Sequence, residues 1–251
     1  MNAPKLSTMV VLYNTNLKFN TNKIMSDLPL DEHIIKIEKR GVARRGESKR
    51  DKIKRRSKKT EPTSTTGFCH NSITVVVLND GDGTLPEKEI TIKIFQNGVF
   101  HLTGILDPQY DVCSMRILLG TLWANPDVII DCPPAYEILR RRVVLMNYTT
   151  QFTTRLTVPR ELMFNNIRAL GRTDIVCAYD PDVYPGVKIR IGSKNWTAKV
   201  FRTGKIILTG ITSSDEVVEL ITQLSDLFEK VLPPVPTPQI QTESVGPLSV
   251  Q

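Results

Sequence analysis

Histidine and cysteine are scarce in this chain, and their placement excludes much. Three histidines (His33, His70, His101) and four cysteines (Cys69, Cys113, Cys132, Cys177) occur among 251 residues, with no C-x-x-C pair and no zinc-type spacing. Neither a metal centre nor a disulfide framework is expected, and the cysteines read as reduced and mostly buried. No apolar run approaches the roughly 18 to 20 residues of a membrane span. The N-terminus lacks the basic, apolar, small-residue order of a secretory signal. A soluble protein that stays inside the cell is therefore expected. Also missing are a G-x-x-x-x-G-K phosphate loop and any nucleophile motif, so the chain reads as neither an enzyme nor a cofactor carrier.

What the chain does have is basic charge, concentrated in one place. Lys and Arg number 33 against 26 Asp and Glu, for a net +7. Between Lys39 and Lys59 stand twelve basic residues and only two acids, Glu47 and Asp51, so the remainder of the chain is net acidic. Arg44, Arg45, Lys49, Arg50, Lys54, Arg55, Arg56, Lys58 and Lys59 carry most of that field. Four readings are open for the segment: a solvated loop, a nucleic-acid arm, a nuclear-import signal at KRRSKK (54–59), or a protein-docking loop.

Periodicity sets out the elements. Residues 6–14 read as a strand and Asn20 to Leu28 as a short helix or turn. The basic stretch then interrupts the pattern until about Gly67, and residues 31–67 are expected to be a flexible insertion. Strands follow at Ser72–Leu78, Glu89–Phe95 and Val99–Thr103, with turns at NDGDGT (79–84) and QNG (96–98). Asp107-Pro108 reads as an N-cap with proline in the first helical turn, and Tyr110, Cys113, Met115, Ile117 and Leu118 form the buried stripe of the helix. The second half repeats this order, with a strand near Val143–Thr150, a helix near Pro159–Ala169, a strand at Val187–Ile191, a hairpin turn RTG at 202–204 and a helix from Ser213 to Leu232. FQNGVFHLTG from Phe95 and FRTGKIILTG from Phe201 share Phe, Gly, Leu, Thr and Gly at a constant spacing, and each runs into an amphipathic helix. An internal duplication is expected, with repeats over 1–126 and 127–232 and a disordered Pro-rich tail over 233–251.

The passage from Tyr179 to Gly210, YDPDVYPGVKIRI and then KVFRTGKIILTG, resembles the second repeat of the TATA-binding protein family. KIFQNGVFHLTG and PKLSTMVVLYN resemble the first repeat more distantly, and the whole is most similar to the divergent family members of large DNA viruses, of African swine fever virus type. The resemblance implies an α+β fold: a pseudo-twofold saddle of two repeats, with a curved antiparallel sheet meeting DNA on its underside and helices on the convex face. It also implies minor-groove binding and bending of promoter DNA by a monomer that recruits an initiation-factor-B-like protein and RNA polymerase, in a host nucleus or a cytoplasmic viral factory. Intercalating aromatics then fall on Phe95, Tyr184 and Phe201, with the fourth at Asn71 by strand alignment or at Phe68 after a loop shift. Groove-facing positions are Thr8, Val10, Lys93, His101, Thr103, Val143, Leu145, Lys199, Ile207 and Thr209. Phosphate partners are Arg142, Arg190 and Lys205, and the partner-binding loop is Asp180, Asp182 and Val183. Thr8 and Val143 stand where the family has paired asparagines, and Lys93 and Lys199 where it has aliphatics, so a relaxed TATA preference is expected. The competing expectation is an interaction adaptor that keeps the saddle without specific DNA recognition.

Overall fold

The computed structural model describes residues 1–52, 71–155 and 157–234. The stretch 54–59, Phe68 and the tail beyond 234 lie outside them. The first half runs β1 (Lys5–Thr15), β2 (Lys18–Phe19), α1 (Thr21–Asp27), β3 (Ile34–Lys39), β4 (Ala43–Gly46), α2 (Lys49–Lys52), β5 (Ser72–Asn79), β6 (Lys88–Phe95), β7 (Val99–Ile105) and α3 (Pro108–Trp123). After β8 (Ile129–Ile130), which pairs with β2, the second half runs β9 (Ile138–Gln151), α4 (Arg160–Ala169), β10 (Ile175–Asp180), β11 (Tyr184–Ile191), β12 (Thr197–Val200), β13 (Lys205–Ile211) and α5 (Ser214–Val231).

Eleven strands form one antiparallel sheet in the order β10-β11-β12-β13-β9-β1-β7-β6-β5-β3-β4. The order is mirrored about the β9–β1 junction: β13 answers β7, β12 answers β6, β11 answers β5 and β10 answers β3, while β4 has no counterpart. Polar caps start α1, α3 and α5. Asn20 Oδ1 accepts from the N–H groups of Asn22 and Lys23 at 3.1 and 3.2 Å, and Asp107 accepts from that of Gln109 at 2.9 Å, with Pro108 in the first turn as expected. The Glu216 carboxylate accepts from the Thr212 N–H at 2.7 Å. The QNG and RTG turns need their glycines, since Gly98 and Gly204 have φ of 78° and 76° and a Cβ on Gly98 would lie 2.1 Å from the Leu17 carbonyl oxygen.

Alternation within the strands assigns the two faces. In β1, Met9, Val11, Tyr13 and Thr15 are buried beneath α1 and α3, and Thr8, Val10, Leu12 and Asn14 point the other way. Each half has its own core, and Leu6 and Met146, from the two central strands, pack against both. A buried polar cluster also crosses the junction. Asp111 of α3, fully buried, accepts from Tyr13 Oη at 2.8 Å and from Arg141 of β9 at 2.7 and 3.1 Å. Burial, with the Asp111 carboxylate adding to it, pushes the Tyr13 phenol far above its ordinary value, so it stays a donor.

Three expectations need correction. Residues 31–67 are not a flexible insertion throughout, because β3, β4 and α2 lie within them and β3 pairs with β5 through Ile34–Val77 and Ile37–Val75. Arg45 is not a free basic residue: its guanidinium donates to the carbonyls of Met25, Ser26 and Leu28 at 3.1, 3.0 and 2.9 Å and closes the C-terminus of α1. Of the cysteines described, only Cys113 is buried, whereas Cys132 is exposed and Cys177 half-buried, although burial still pushes the Cys177 thiol up to about 11.

Asp111→Ala is expected to destabilise the fold by about 3 kcal/mol, the low end for breaking a buried pair, because Arg141, 35% exposed, can turn partly to water. Urea unfolding measures this, and a loss below about 1 kcal/mol would show that the cluster contributes no more than a surface pair.

Candidate nucleic-acid interface

The face opposite the four longer helices is built from two ladders of side chains that follow the register. In the first half, Arg142, Leu12, His101, Lys93, Thr74 and Glu38 are successive cross-strand neighbours from β9 outward. In the second half the matching ladder is Lys5, Thr149, Ile207, Lys199, Lys188 and Ala178. Cationic residues therefore stand at the inner end of both ladders and again at Lys93, Lys199 and Lys188, with Leu12, His101, Thr149 and Ile207 between them, while the outer ends are Glu38 and Ala178. Nearer the centre, Val10 pairs with Leu145 and Thr103, and Thr209 pairs with Thr197.

Val143 does not belong to this face. β9 slips by one residue against β1, so Leu145 pairs with Val10 but Val143 pairs with the buried Val11 and packs on the first core. The polar group at the centre is instead Asn147, opposite Thr8. Counting along the strand without the slip puts Val143 in that place, because the slip leaves no mark in composition. The two central pairs, Val10–Leu145 and Asn147–Thr8, exchange places across the junction, one apolar and one hydrogen-bonding.

The aromatic residues flank the ladders. Tyr184 and Phe201 meet edge to face with ring centroids 5.8 Å apart, over Gly186, where a Cβ would lie 3.0 Å from the Tyr184 ring. Lys188 and Lys199 approach the Tyr184 ring to 4.9 and 6.0 Å. Phe95 occupies the same place before the QNG turn and is half-buried, opposite Ser72. Since Ser72 answers Gly186, the counterpart of Tyr184 counts back to position 70, outside the described residues. Asn71 is one residue out of register for that role.

Arg142, Arg190 and Lys205 are exposed, and Arg190 leans on Asn195 at 3.5 Å. Lys205 borders two shallow depressions, one lined by Asn2, Lys5, Thr149 and Gln151, the other by Phe201, Arg202, Ile207 and Arg160. The Asp180–Val183 loop is a tight turn in which Asp180 Oδ1 accepts from the N–H groups of Asp182 and Val183 at 3.1 and 3.3 Å. Asp180 thus shapes the turn, and Asp182 and Val183 (77% exposed) are left facing solvent. Among the described residues no group of His, Cys, Asp and Glu could hold a metal, and no helix is long and apolar enough to cross a membrane.

The same architecture recurs in a solved structure. Methanococcus jannaschii TBP superposes with a TM-score of 0.55 over 92% of this chain and 100% of that one, at 13% identity. The chain has the fold of the TATA-binding proteins. In sequence, residues 151–231 match the family model for transcription factor TFIID, or TATA-binding protein. That model describes a transcription factor, not an enzyme. The TATA-box-binding protein of Sulfolobus acidocaldarius is 31% identical over 65 residues, 26% of this chain and 33% of that protein. That of Aeropyrum pernix is 31% identical over 68 residues, 27% of this chain and 34% of its own length. The chain thus spans about a third of these relatives. The protein from Thermoplasma acidophilum aligns at 22% identity over 59% of this chain and 73% of its own.

Burial and then the Lys93 cation hold the His101 imidazole below its ordinary 6.5, so it is neutral at pH 7. Because its folded value is depressed, the unfolded chain takes the proton first, and the stability held above pH 6.5 is lost as pH falls through the folded value. NMR titration of His101 should give a midpoint below 6.5 that rises in Lys93→Ala; a midpoint at or above 6.5 would contradict this placement.

Proposed function

We propose that this protein binds duplex DNA in the minor groove through the concave sheet face, bends it, and acts as a transcription initiation factor. The observation that carries the reading is the pair of matching ladders, with a cation at each inner end and lysines again at Lys93, Lys199 and Lys188, around an apolar and hydroxyl-bearing centre, flanked by Phe95 on one side and Tyr184–Phe201 on the other. The minor groove offers few base-specific polar groups, so a surface of Val, Leu, Ile and Thr can fit it by shape. Aromatic wedges can unstack a base step at a cost of about a few kcal/mol, offset by the larger area that bent DNA presents. Phe95, Tyr184 and Phe201 would be those wedges, and Arg142, Arg190 and Lys205 would meet phosphates.

Base preference is relaxed in this reading. Among the central four side chains only Thr8 and Asn147 donate hydrogen bonds, and both belong to the same cross-strand pair, so the Val10–Leu145 pair offers no donor. Lys93 and Lys199 enter the groove by charge, which distinguishes base pairs less than an aliphatic fit does. The turn presenting Asp182 and Val183 would recruit an initiation-factor-B-like protein and, through it, RNA polymerase. A viral source, with action in a host nucleus or viral factory, rests on the sequence pattern.

Two outcomes test the reading. Phe95→Ala with Phe201→Ala should leave the unfolding midpoint within a few degrees of wild type and abolish the bend in a doubly labelled duplex. Normal bending, or collapse of the fold, would make both rings ordinary packing residues. Asn147→Leu should lower the preference for a TATA duplex over a mixed one by about 1 kcal/mol, the low end for a single base contact. Competition binding at fixed salt measures it, and an unchanged ratio would remove Asn147 from base recognition.

A further inference from the structure

The two outer rims of the concave face are built differently. In the second half the outer pair Val176–Arg190 is open, Val176 being 62% exposed and Arg190 also exposed. The matching pair in the first half is Lys36–Val76, and both are buried, at 6% and 4%. Lys36 reaches the connection between β3 and β5, where Asp51 accepts from it. The counterpart of that connection, between β10 and β11, is the three-residue turn 181–183, whereas here residues 40–71 intervene and begin with β4 and α2.

α2 sits on the concave side because two groups of that face hold it. Lys36 Nζ donates to Asp51 Oδ1 at 2.9 Å and to Glu38 at 2.5 Å. The other Asp51 oxygen accepts from the Ser48 N–H and hydroxyl, each at 2.8 Å. The Lys49 main-chain N–H donates to both oxygens of Glu89 on β6, at 2.9 and 3.0 Å. Hydrogen bonding from Lys36 and then from Ser48 holds the Asp51 carboxyl far below its ordinary range, so the attachment stays charged through neutral pH. All four residues of α2 are exposed, and three of them are Lys49, Arg50 and Lys52. Asp51 and Glu89 are occupied in attachment and Glu47 pairs with Arg44 at 3.8 Å, which leaves the cations facing solvent at the rim.

We infer that α2 is a fixed phosphate-binding rim, in which Lys49, Arg50 and Lys52 do for the first half what Arg190 does for the second, and that its ligand is the sugar-phosphate backbone of duplex DNA. The inference rests on the DNA-binding reading above and adds to it a site and an asymmetry. One end of the saddle grips the backbone through a single arginine on a strand, and the other through a short basic helix attached beneath the sheet. Phosphate contacts carry no base information, so the rim adds affinity on every sequence alike and makes it dependent on salt.

The test compares full-length wild type, Lys49→Ala/Arg50→Ala/Lys52→Ala, Arg190→Ala and Glu89→Ala on one mixed-sequence duplex from low to moderate salt. The triple variant should weaken binding on TATA and mixed duplexes equally and flatten the slope of log affinity against log salt by about 0.9 for each phosphate that is no longer neutralised. Arg190→Ala should flatten it by the equivalent of about one phosphate. Glu89→Ala removes a negative charge, so net charge alone would tighten binding; a rim held in place by Glu89 should bind more weakly once released. If Arg190→Ala flattens the slope and the triple variant leaves it unchanged, the rim is overturned while the DNA-binding reading stands. If Glu89→Ala binds more tightly, the rim's attachment is overturned. If wild type binds no duplex at any of these salts, both fall together.

Discussion

β1 and β9 are where the two halves of the sheet are hydrogen-bonded to each other, and their register decides which side chains can meet a ligand. A strand shows alternate residues to opposite faces, so a one-residue slip transfers every later side chain to the other face. Two slips near the centre do so here, one between Leu6 and Thr8 and one between Val10 and Val11. They place Thr8, Val10, Leu145 and Asn147 on the concave face and send Leu6, Met146 and Val143 toward the cores. The Tyr13–Asp111–Arg141 cluster fastens the junction from the helical side, tying α3 of the first half to β9 of the second. Were that register to shift by one, both cores would lose their shared residues and the concave ladders would break.

From this junction the rest follows outward. Each half hangs four matching strands on its central strand, the first half adding β4 at its edge, and covers them with two of the four longer helices, so one face is buried and the other is left free. Burial of the first face provides the folding free energy, with fully buried side chains such as Phe100 and Phe19 each contributing roughly 1.5 to 3 kcal/mol. The free face can then carry lysine, arginine, threonine and asparagine without harm to the core. The halves diverge where the fold tolerates it, in the connection between the third and fourth of the matching strands. There one half keeps a short acidic turn and the other grows a basic strand and helix.

Much of this is readable from residue order. Phe-x-x-Gly hairpins, the Asp107-Pro108 helix start and the amphipathic stripe of α5 are local signals, and the structure has each of them where the spacing put it. What stays hidden depends on distant partners. In IIKIEK, Ile34 and Ile37 enter the core while Lys36 and Lys39 are buried as well, because Asp51 and Glu38 neutralise one and Thr21 and Asn22 bond the other. A buried lysine with a partner fifteen residues away does not look like a strand position. Arg45 reads as free charge until α1 supplies three carbonyls. Val143 and Asn147 exchange roles through a bulge. The short strand β10 buries none of its side chains fully, so its apolar run IVCAY carries no inside-outside alternation of full burial.

Whether duplex DNA sits on the concave face or on the helical one is decided most directly by methyl-resolved NMR of the labelled protein with an unlabelled TATA duplex. Seating on the concave face predicts that methyl signals of Val10, Leu12, Leu145 and Ile207 shift on titration, while those of Val112 and Val218, exposed on α3 and α5, stay in place. Shifts confined to Val112 and Val218, with the concave methyls unmoved, would contradict it.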